Sequence, residues 1–333
     1  MAQDAMSYPT DEAALYAAAK QEGSVVWYTA SAQDLSQTMA DAFEKTYPGV
    51  HVEVLRVVSA QQYQRFLQES EVGQYIADVV NLADRPMMQS LVDEGHIAEW
   101  RLPTQDRFAE QYRIGDYATS FALTKIILLY NENNVSPEEA ALLKNWDGIL
   151  DPRFKGRIAT VTGKAGVVAA GLQVVTDPAL VGDDFVARFS TQEPVRYNDV
   201  LGPVDRVNVG EQDVYFWAWE AIGASTRAKG APVRWVYPNP TPIYGNNLYG
   251  ASAHAPHPNA ARLLLNWFGS EAGSLAMQQA FAAAPSMAGV EDIRPVTKEE
   301  WFEPETAVFN VDLDRWENNY TADIDAWDKA LQR

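Results

Sequence analysis

The chain has 333 residues, enough for one large or two medium domains, and its 47% hydrophobic content supplies an ample core. A formal charge of −19, from 45 acidic against 26 basic side chains, argues against binding to nucleic-acid phosphates or anionic membrane surfaces. The lack of cysteine removes thiol nucleophiles, iron–sulfur clusters, cysteine zinc sites and disulfides together, and no apolar run approaches the ~20 residues of a membrane span.

The opening Met1-Ala2-Gln3-Asp4-Ala5 has no charged or apolar leader pattern, which fits a cytosolic protein or a mature exported one whose signal was replaced by an initiating Met. Residues 11–21 read as a helix ended by Gly23. Val25, Val26, Trp27 and Tyr28 form a short apolar run of β-prone residues, as expected of a parallel strand buried on both faces. After a small polar loop, Asp34 followed by Gln37 reads as a helix cap with its reciprocal partner. Leu35, Met39, Ala42, Phe43 and Tyr47 then recur at helical spacing, Pro48-Gly49 stops the helix, and Val50, Val52 and Val54 alternate as the next strand. This is a βαβ unit. Ligands of open α/β sheets bind beyond the carboxyl ends of the strands, so Ser31 and Gln33 are binding candidates, with a polar surface turn as the alternative.

A helix capped by Ser59 follows over 59–71, and 77–81 is a third buried strand whose end carries Asn81, Asp84 and Arg85. Residues 87–94 form another helix, stopped by Gly95. The run 117–130 is apolar and strand-like, and 145–157 introduces a strand over 158–161 that leads through 162–166 into a helix over 167–175. Residues 214–219 read as a strand, and 260–268 and 270–281 as helices. Strand and helix alternate twice over, which predicts two α/β lobes.

Three segments offer chemistry. Thr162, Gly163, Lys164, Ala165 and Gly166 form a strand-to-helix loop where backbone N–H groups, a helix end and an ammonium would converge on an anion. It is not a P-loop, because Ala165 stands where Ser or Thr is required; a glycine turn with a solvated lysine is the alternative. Tyr215, Trp217 and Trp219 alternate along one strand face, opposite Val214, Phe216 and Ala218. Tyr215 reads as core, whereas Trp219 and Glu220 at the strand exit are the stronger ligand candidates, with Trp217 beside them. Finally, 238–250 contains Tyr244 and the pair Asn246-Asn247, whose amides suit either ligand hydrogen bonds or left-handed turns. His51 and His96 are isolated and His254 and His257 lie in a Pro-broken loop, so neither a metal site nor a catalytic residue is assigned.

Several segments share a pattern: the strand at 25–28 with its loop, Ala42-Phe43-Glu44-Lys45-Thr46-Tyr47-Pro48-Gly49, Ala77-Asp78-Val79, Asp151-Pro152-Arg153-Phe154-Lys155-Gly156-Arg157-Ile158, Gly210-Glu211-Gln212-Asp213, and 258–268 with Ser270-Glu271-Ala272-Gly273. In order and spacing, from about residue 12 to about residue 285, the chain resembles the periplasmic solute-binding proteins of ABC importers, in their ferric-binding-like branch. Iron-binding members present a histidine, a glutamate and two adjacent tyrosines at positions that here hold Ala32, Ala83, Glu220 and Ala221. A lone Glu220 does not satisfy hard Fe(III), so the resemblance implies a carrier without the iron ligands and with no cofactor.

The resemblance further implies an α/β, two-lobed type II fold, each lobe a mostly parallel sheet flanked by helices, with two crossover strands as hinge. Lobe 1 is expected at 1–120 and 250–295, and lobe 2 at 121–249 and 296–333. It implies no enzyme but a periplasmic, non-membrane-spanning, monomeric carrier that closes over one small-molecule solute and delivers it to ABC permease subunits. Ser31, Gln33, Ser59, Asn81 and Asp84 of the first lobe, and Thr162, Gly163, Lys164, Trp217, Trp219, Glu220, Tyr244, Asn246 and Asn247, are the expected ligand contacts. Lys164 favours an anionic headgroup and the aromatics an apolar body, which together suggest a small organic anion or zwitterion of carboxylate or phosphonate type. A polyamine or quaternary amine held by Glu220 and Asp84 is the alternative, and an α/β hydrolytic enzyme is the reading from another class.

Overall fold

A computed structural model describes residues 8–163, 168–182 and 184–332. The chain divides into two compact units, the first holding residues up to 122 with 245–281 and 285–292, the second 123–244, 282–284 and 293 onward. The chain passes between units at 122/123, 244/245, 281/282, 284/285 and 292/293, where the sequence suggested 120/121, 249/250 and 295/296.

The first unit begins α1 (Glu12–Glu22), β1 (Ser24–Thr29), α2 (Gln33–Thr46), β2 (His51–Arg56), α3 (Ser59–Glu71), β3 (Val79–Leu82), α4 (Arg85–Asp93) and β4 (Arg113–Ile114). Strand β5 (Ala118–Asn131) starts there and ends in the second unit. The second unit continues with α5 (Pro137–Leu142), β6 (Ile158–Val161), α6 (Val168–Val175), α7 (Pro178–Val181), α8 (Phe185–Ser190), β7 (Val195–Tyr197), α9 (Gly202–Asn208), β8 (Val214–Trp219), α10 (Glu220–Ala228) and β9 (Val233–Val236). Strand β10 (Thr241–Ala251) returns the chain to the first unit for α11 (Pro258–Phe268) and α12 (Glu271–Phe281), and β11 (Ala284–Pro285), β12 (Val308–Asn310) and α13 (Leu313–Ala330) follow.

In the first unit β1 pairs in parallel with β2 and β3, and β10 runs antiparallel to β3. Both faces of β1 are covered, which explains its unbroken apolar sequence. On one face Trp27 packs against Phe268 and Tyr249, with ring centroids 5.2 and 6.1 Å apart. Tyr28 joins Phe66, Val80, Leu82, Met88 and Leu91 under α3 and α4 on the other. Asp78 is fully buried and accepts the N–H groups of Val26 (2.7 Å) and His257 (2.6 Å) and the His257 ring Nδ1 (2.9 Å), so β1 and the start of α11 are tied to one carboxyl. Burial pushes that carboxyl up from its ordinary value, against the lowering by these donors. His257, which has no acidic neighbour in sequence, finds one here.

In the second unit β6 lies between β7 and β8, all parallel, while β5 runs antiparallel to β8 and β9. Its core is aromatic, with Trp146, Phe189, Phe216, Trp217 and Trp327 in mutual contact.

Three local expectations are corrected. Helix α2 starts at Gln33 with Ala32 at its N-cap, so Asp34 sits in the first turn and Gln37 donates to Asp41 (2.9 Å) instead of reaching back. The N-cap of α3 is Val58, and the Ser59 hydroxyl accepts the Ala83 N–H (3.0 Å), linking the helix to the exit of β3. The alternation of Tyr215, Trp217 and Trp219 is broken by a bulge: Ile127 faces Ala218 and Leu128 faces Phe216, leaving Trp217 without a partner at φ +95°.

Candidate ligand-binding site

The parallel register of the first unit places Thr29 level with both Arg56 and Asn81. The chain needs only two or three residues to leave each strand and begin α2, α3 or α4, so three helix N-termini follow from neighbouring strand ends. None of the three has a side-chain cap: the N-caps are Ala32, Val58 and Asp84. By contrast α1, in the same unit, is capped by Asp11, and α5 and α13 of the second unit by Ser136 and Asp312. The first intrahelical bonds are Ser36 N–H to Ala32 and Gln62 N–H to Val58, so the N–H groups of residues 33–35 and 59–61 have no intrahelical acceptor.

Around these ends the structure brings together Ser31, Ser59, Asn81, Asp84 and Asn247. Ser31 is half-buried and its N–H donates to the Thr29 hydroxyl (3.1 Å), while Gln33 is exposed. Asn81 is fully buried: its side-chain oxygen accepts from the Trp27 indole (2.9 Å), Gln62 donates to its carbonyl (3.0 Å), and its amide nitrogen has no acceptor. Asn247 adopts φ +56° within β10, one residue before Leu248, which pairs with Leu82. Asn246 precedes it on β10. Sequence reasoning missed Arg56, exposed at the exit of β2 and making no ion pair with a described residue; an arginine ending the Val50, Val52, Val54 alternation was the available signal.

The second unit gathers its candidates at the exits of β6 and β8. The N–H of Thr162 donates to Tyr197 (2.8 Å) and that of Gly163 to Asp328 (2.7 Å), so both are committed to the protein. A Cβ at Gly163 would come 2.7 Å from Ile324 of α13, which explains the glycine. Lys164, Ala165 and Gly166 lie outside the described residues. Trp217 is fully buried against Trp146 (5.6 Å) and Trp327 (6.2 Å), a core position and not the ligand-facing wall that strict alternation predicted. Tyr244 is likewise buried, edge-on to Trp316 at 5.4 Å. Trp219, at the N-cap of α10, stays partly exposed and its indole N–H has no acceptor.

Glu220 opens α10 and is 1% exposed. One carboxylate oxygen meets the Arg294 guanidinium at 2.9 Å and also accepts the Tyr237 hydroxyl; the other has no donor. Burial, then the Glu220 charge, pushes the Tyr237 phenol far up, so it remains a donor. Arg294 was invisible in the sequence, being remote from Glu220 along the chain. Among the described residues no group of three or more His, Asp or Glu is placed to hold a metal ion.

A family model described as bacterial extracellular solute-binding protein matches residues 25–281, and the chain belongs to that family. Iron-bound HitA from Pseudomonas aeruginosa has the same fold, with a TM-score of 0.74 at 17% identity over 93% of this chain and 99% of that one. The substrate binding protein of an ABC transporter from Agrobacterium tumefaciens gives 0.72 at 18% over 95% and 97%, and AfuA from Actinobacillus pleuropneumoniae, with fructose-6-phosphate bound, gives 0.69 at 16% over 93% and 99%. A search of curated proteins finds no relative. The protein is therefore a bacterial extracellular solute-binding protein, of a binding family and not an enzyme family, with the mostly parallel α/β architecture of the periplasmic binding proteins. Its family is one of solute binders. No helix among the described residues is long and apolar enough to cross a membrane.

Proposed function

We propose that the solute is a small organic anion or zwitterion of carboxylate or phosphonate type, captured in the periplasm. The observation that carries this reading is the set of uncapped N-termini of α2, α3 and α4 at in-register strand ends, beside Arg56, which makes no ion pair with a described residue. Backbone N–H groups without acceptors and a positive helix end favour a negative headgroup. Asp34, in the first turn of α2, supplies countercharge for an ammonium, which suits a zwitterion. The membership of an extracellular family supports the location.

The cation alternative loses its support in the second unit, because Glu220 is neutralised by Arg294 and Trp217 is buried in the core. Iron is disfavoured on the same ground: Ala32, Ala83 and Ala221 offer no side-chain donor and Glu220 is engaged. The test is thermal-shift screening of chelator-treated protein against carboxylates, phosphonates, amines and Fe(III). A ligand at ~100 Kd stabilises the fold by about 2.7 kcal/mol, a readable shift. A rise with an organic anion or zwitterion supports the reading; a rise with amines alone, or with Fe(III) alone, overturns it.

A further inference from the structure

A serine, a histidine and a buried aspartate line up in the first unit, at the other end of β1 from the candidate ligand site. Ser24 opens that strand, about 17 Å along it from Thr29. Asp78 is fully buried, and each of its oxygens accepts a backbone N–H: Oδ1 that of His257 at 2.6 Å, Oδ2 that of Val26 at 2.7 Å. The His257 ring presents Nδ1 to the same Oδ2 at 2.9 Å and Nε2 to the Ser24 hydroxyl at 3.4 Å. With both Asp78 oxygens acting as acceptors, Nδ1 carries the imidazole proton and Nε2 offers its lone pair to the Ser24 O–H.

This is the order of contacts that activates a serine: nucleophile to base, base to a buried carboxylate that fixes its tautomer. The nucleophile–base contact is long, as such contacts are before an acyl donor is bound. His257 is 28% exposed and Ser24 half-buried, so both are open to a reagent in solvent. The N–H groups at the adjacent start of α11 are already taken, since those of Asn259 and Ala260 donate to Glu22 at 3.1 and 2.7 Å. They do not serve a developing oxyanion, which favours a lasting acyl-serine over turnover.

We propose that Ser24 is an acyl-acceptor site, activated by His257, that takes the acyl group of an activated ester. Its Oγ bonds to the ester carbonyl carbon as its proton passes to His257 Nε2. The single bond from that carbon to the alcohol oxygen then breaks, the leaving alcohol takes up the proton, and an ester on Ser24 remains. Asp78 is a positioning residue that holds the ring and balances the transient imidazolium. The probe is p-nitrophenyl acetate on the full chain at pH 7, read by peptide mass mapping before and after hydroxylamine, which cleaves serine esters and spares lysine amides. Ser136, exposed at the start of α5, is the internal reference. Acetyl on Ser24 is expected to exceed that on Ser136 at least about a hundredfold, the usual gain from a positioned base. It is expected to vanish in Ser24→Ala and to fall to the Ser136 level in His257→Gln. Comparable labelling of Ser24 and Ser136 in the unsubstituted protein overturns the assignment, however the variants fold. So does an acetyl group on His257 with none on Ser24, or Ser24 labelling unchanged in His257→Gln.

Discussion

Replacing Arg294 with Met tests the central electrostatic feature of the second unit. Both partners of the Glu220–Arg294 pair are 1% exposed and meet at 2.9 Å. At an effective dielectric of ~20 that separation corresponds to roughly 6 kcal/mol of gross attraction, much of it offset by the cost of burying both charges. Removing one partner leaves the other charge buried and uncompensated, which costs about 3–5 kcal/mol. The expected loss is therefore about 4 kcal/mol, a fall in Tm of roughly 10 °C for a unit of this size. Glu220→Gln with Arg294→Met keeps an acceptor for Tyr237 and removes both charges, and is expected to recover most of the stability. Urea unfolding at pH 7 measures both variants against the unsubstituted protein. A loss below about 1 kcal/mol in Arg294→Met, or no recovery in the double variant, refutes the reasoning.

At Gly171 a Cβ would stand 2.6 Å from Cζ2 of Trp217, whose fully buried ring is boxed by Trp146 and Trp327, so Gly171→Val is expected to cost about 1–3 kcal/mol by overpacking. An unchanged urea midpoint would show that the ring moves aside. Arg227 hydrogen bonds hold the Glu299 carboxyl below its ordinary value, a stabilisation present above the unfolded pKa and lost as pH falls through the folded one. The urea midpoint is accordingly expected to drop between about pH 5 and pH 3, with a shallower drop in Glu299→Gln; equal slopes would exclude this group. For the solute site, Arg56→Gln is expected to weaken the anionic ligand about tenfold, roughly 1.4 kcal/mol, by calorimetric titration. Lys164→Ala is expected to do the same, and unchanged affinity removes that lysine from the site.

The sequence disclosed those parts of the fold that depend on local pattern. The strand at 25–28, the stops at Gly23 and Gly95, and the strand over 158–161 follow from apolar runs and left-handed glycines, signals carried by a few adjacent residues. What escaped was whatever depends on a distant partner. Ser59 and Asp34 have the chemistry of caps, but Ser59 is drawn to Ala83 across the sheet and α2 begins one residue before Asp34. Glu220 has the chemistry of a ligand, but Arg294 neutralises it from a segment that packs beside α10 only after folding. Trp217 has the right alternation, but a bulge opposite Ile127 and Leu128 turns it into the core.

These misses share a direction that bears on the ligand. Each polar group that satisfies itself inside the protein is withdrawn from the solute, as with Glu220 and the N–H groups of Thr162 and Gly163. Each helix start that lacks a cap keeps its N–H groups available, at a stability cost of about 1 kcal/mol per missing cap. Helices α8, α9, α10 and α11 also lack side-chain caps at the N-cap residue, so what sets α2, α3 and α4 apart is that their three starts stand together at neighbouring strand ends, where one anion can repay the cost. Installing the cap is then the direct test: Ala32→Ser is expected to stabilise the free protein by about 0.5–2 kcal/mol while weakening the solute, because its hydroxyl competes for the same N–H groups. A variant that gains stability and binds as tightly as before would show that the start of α2 does not contact the ligand.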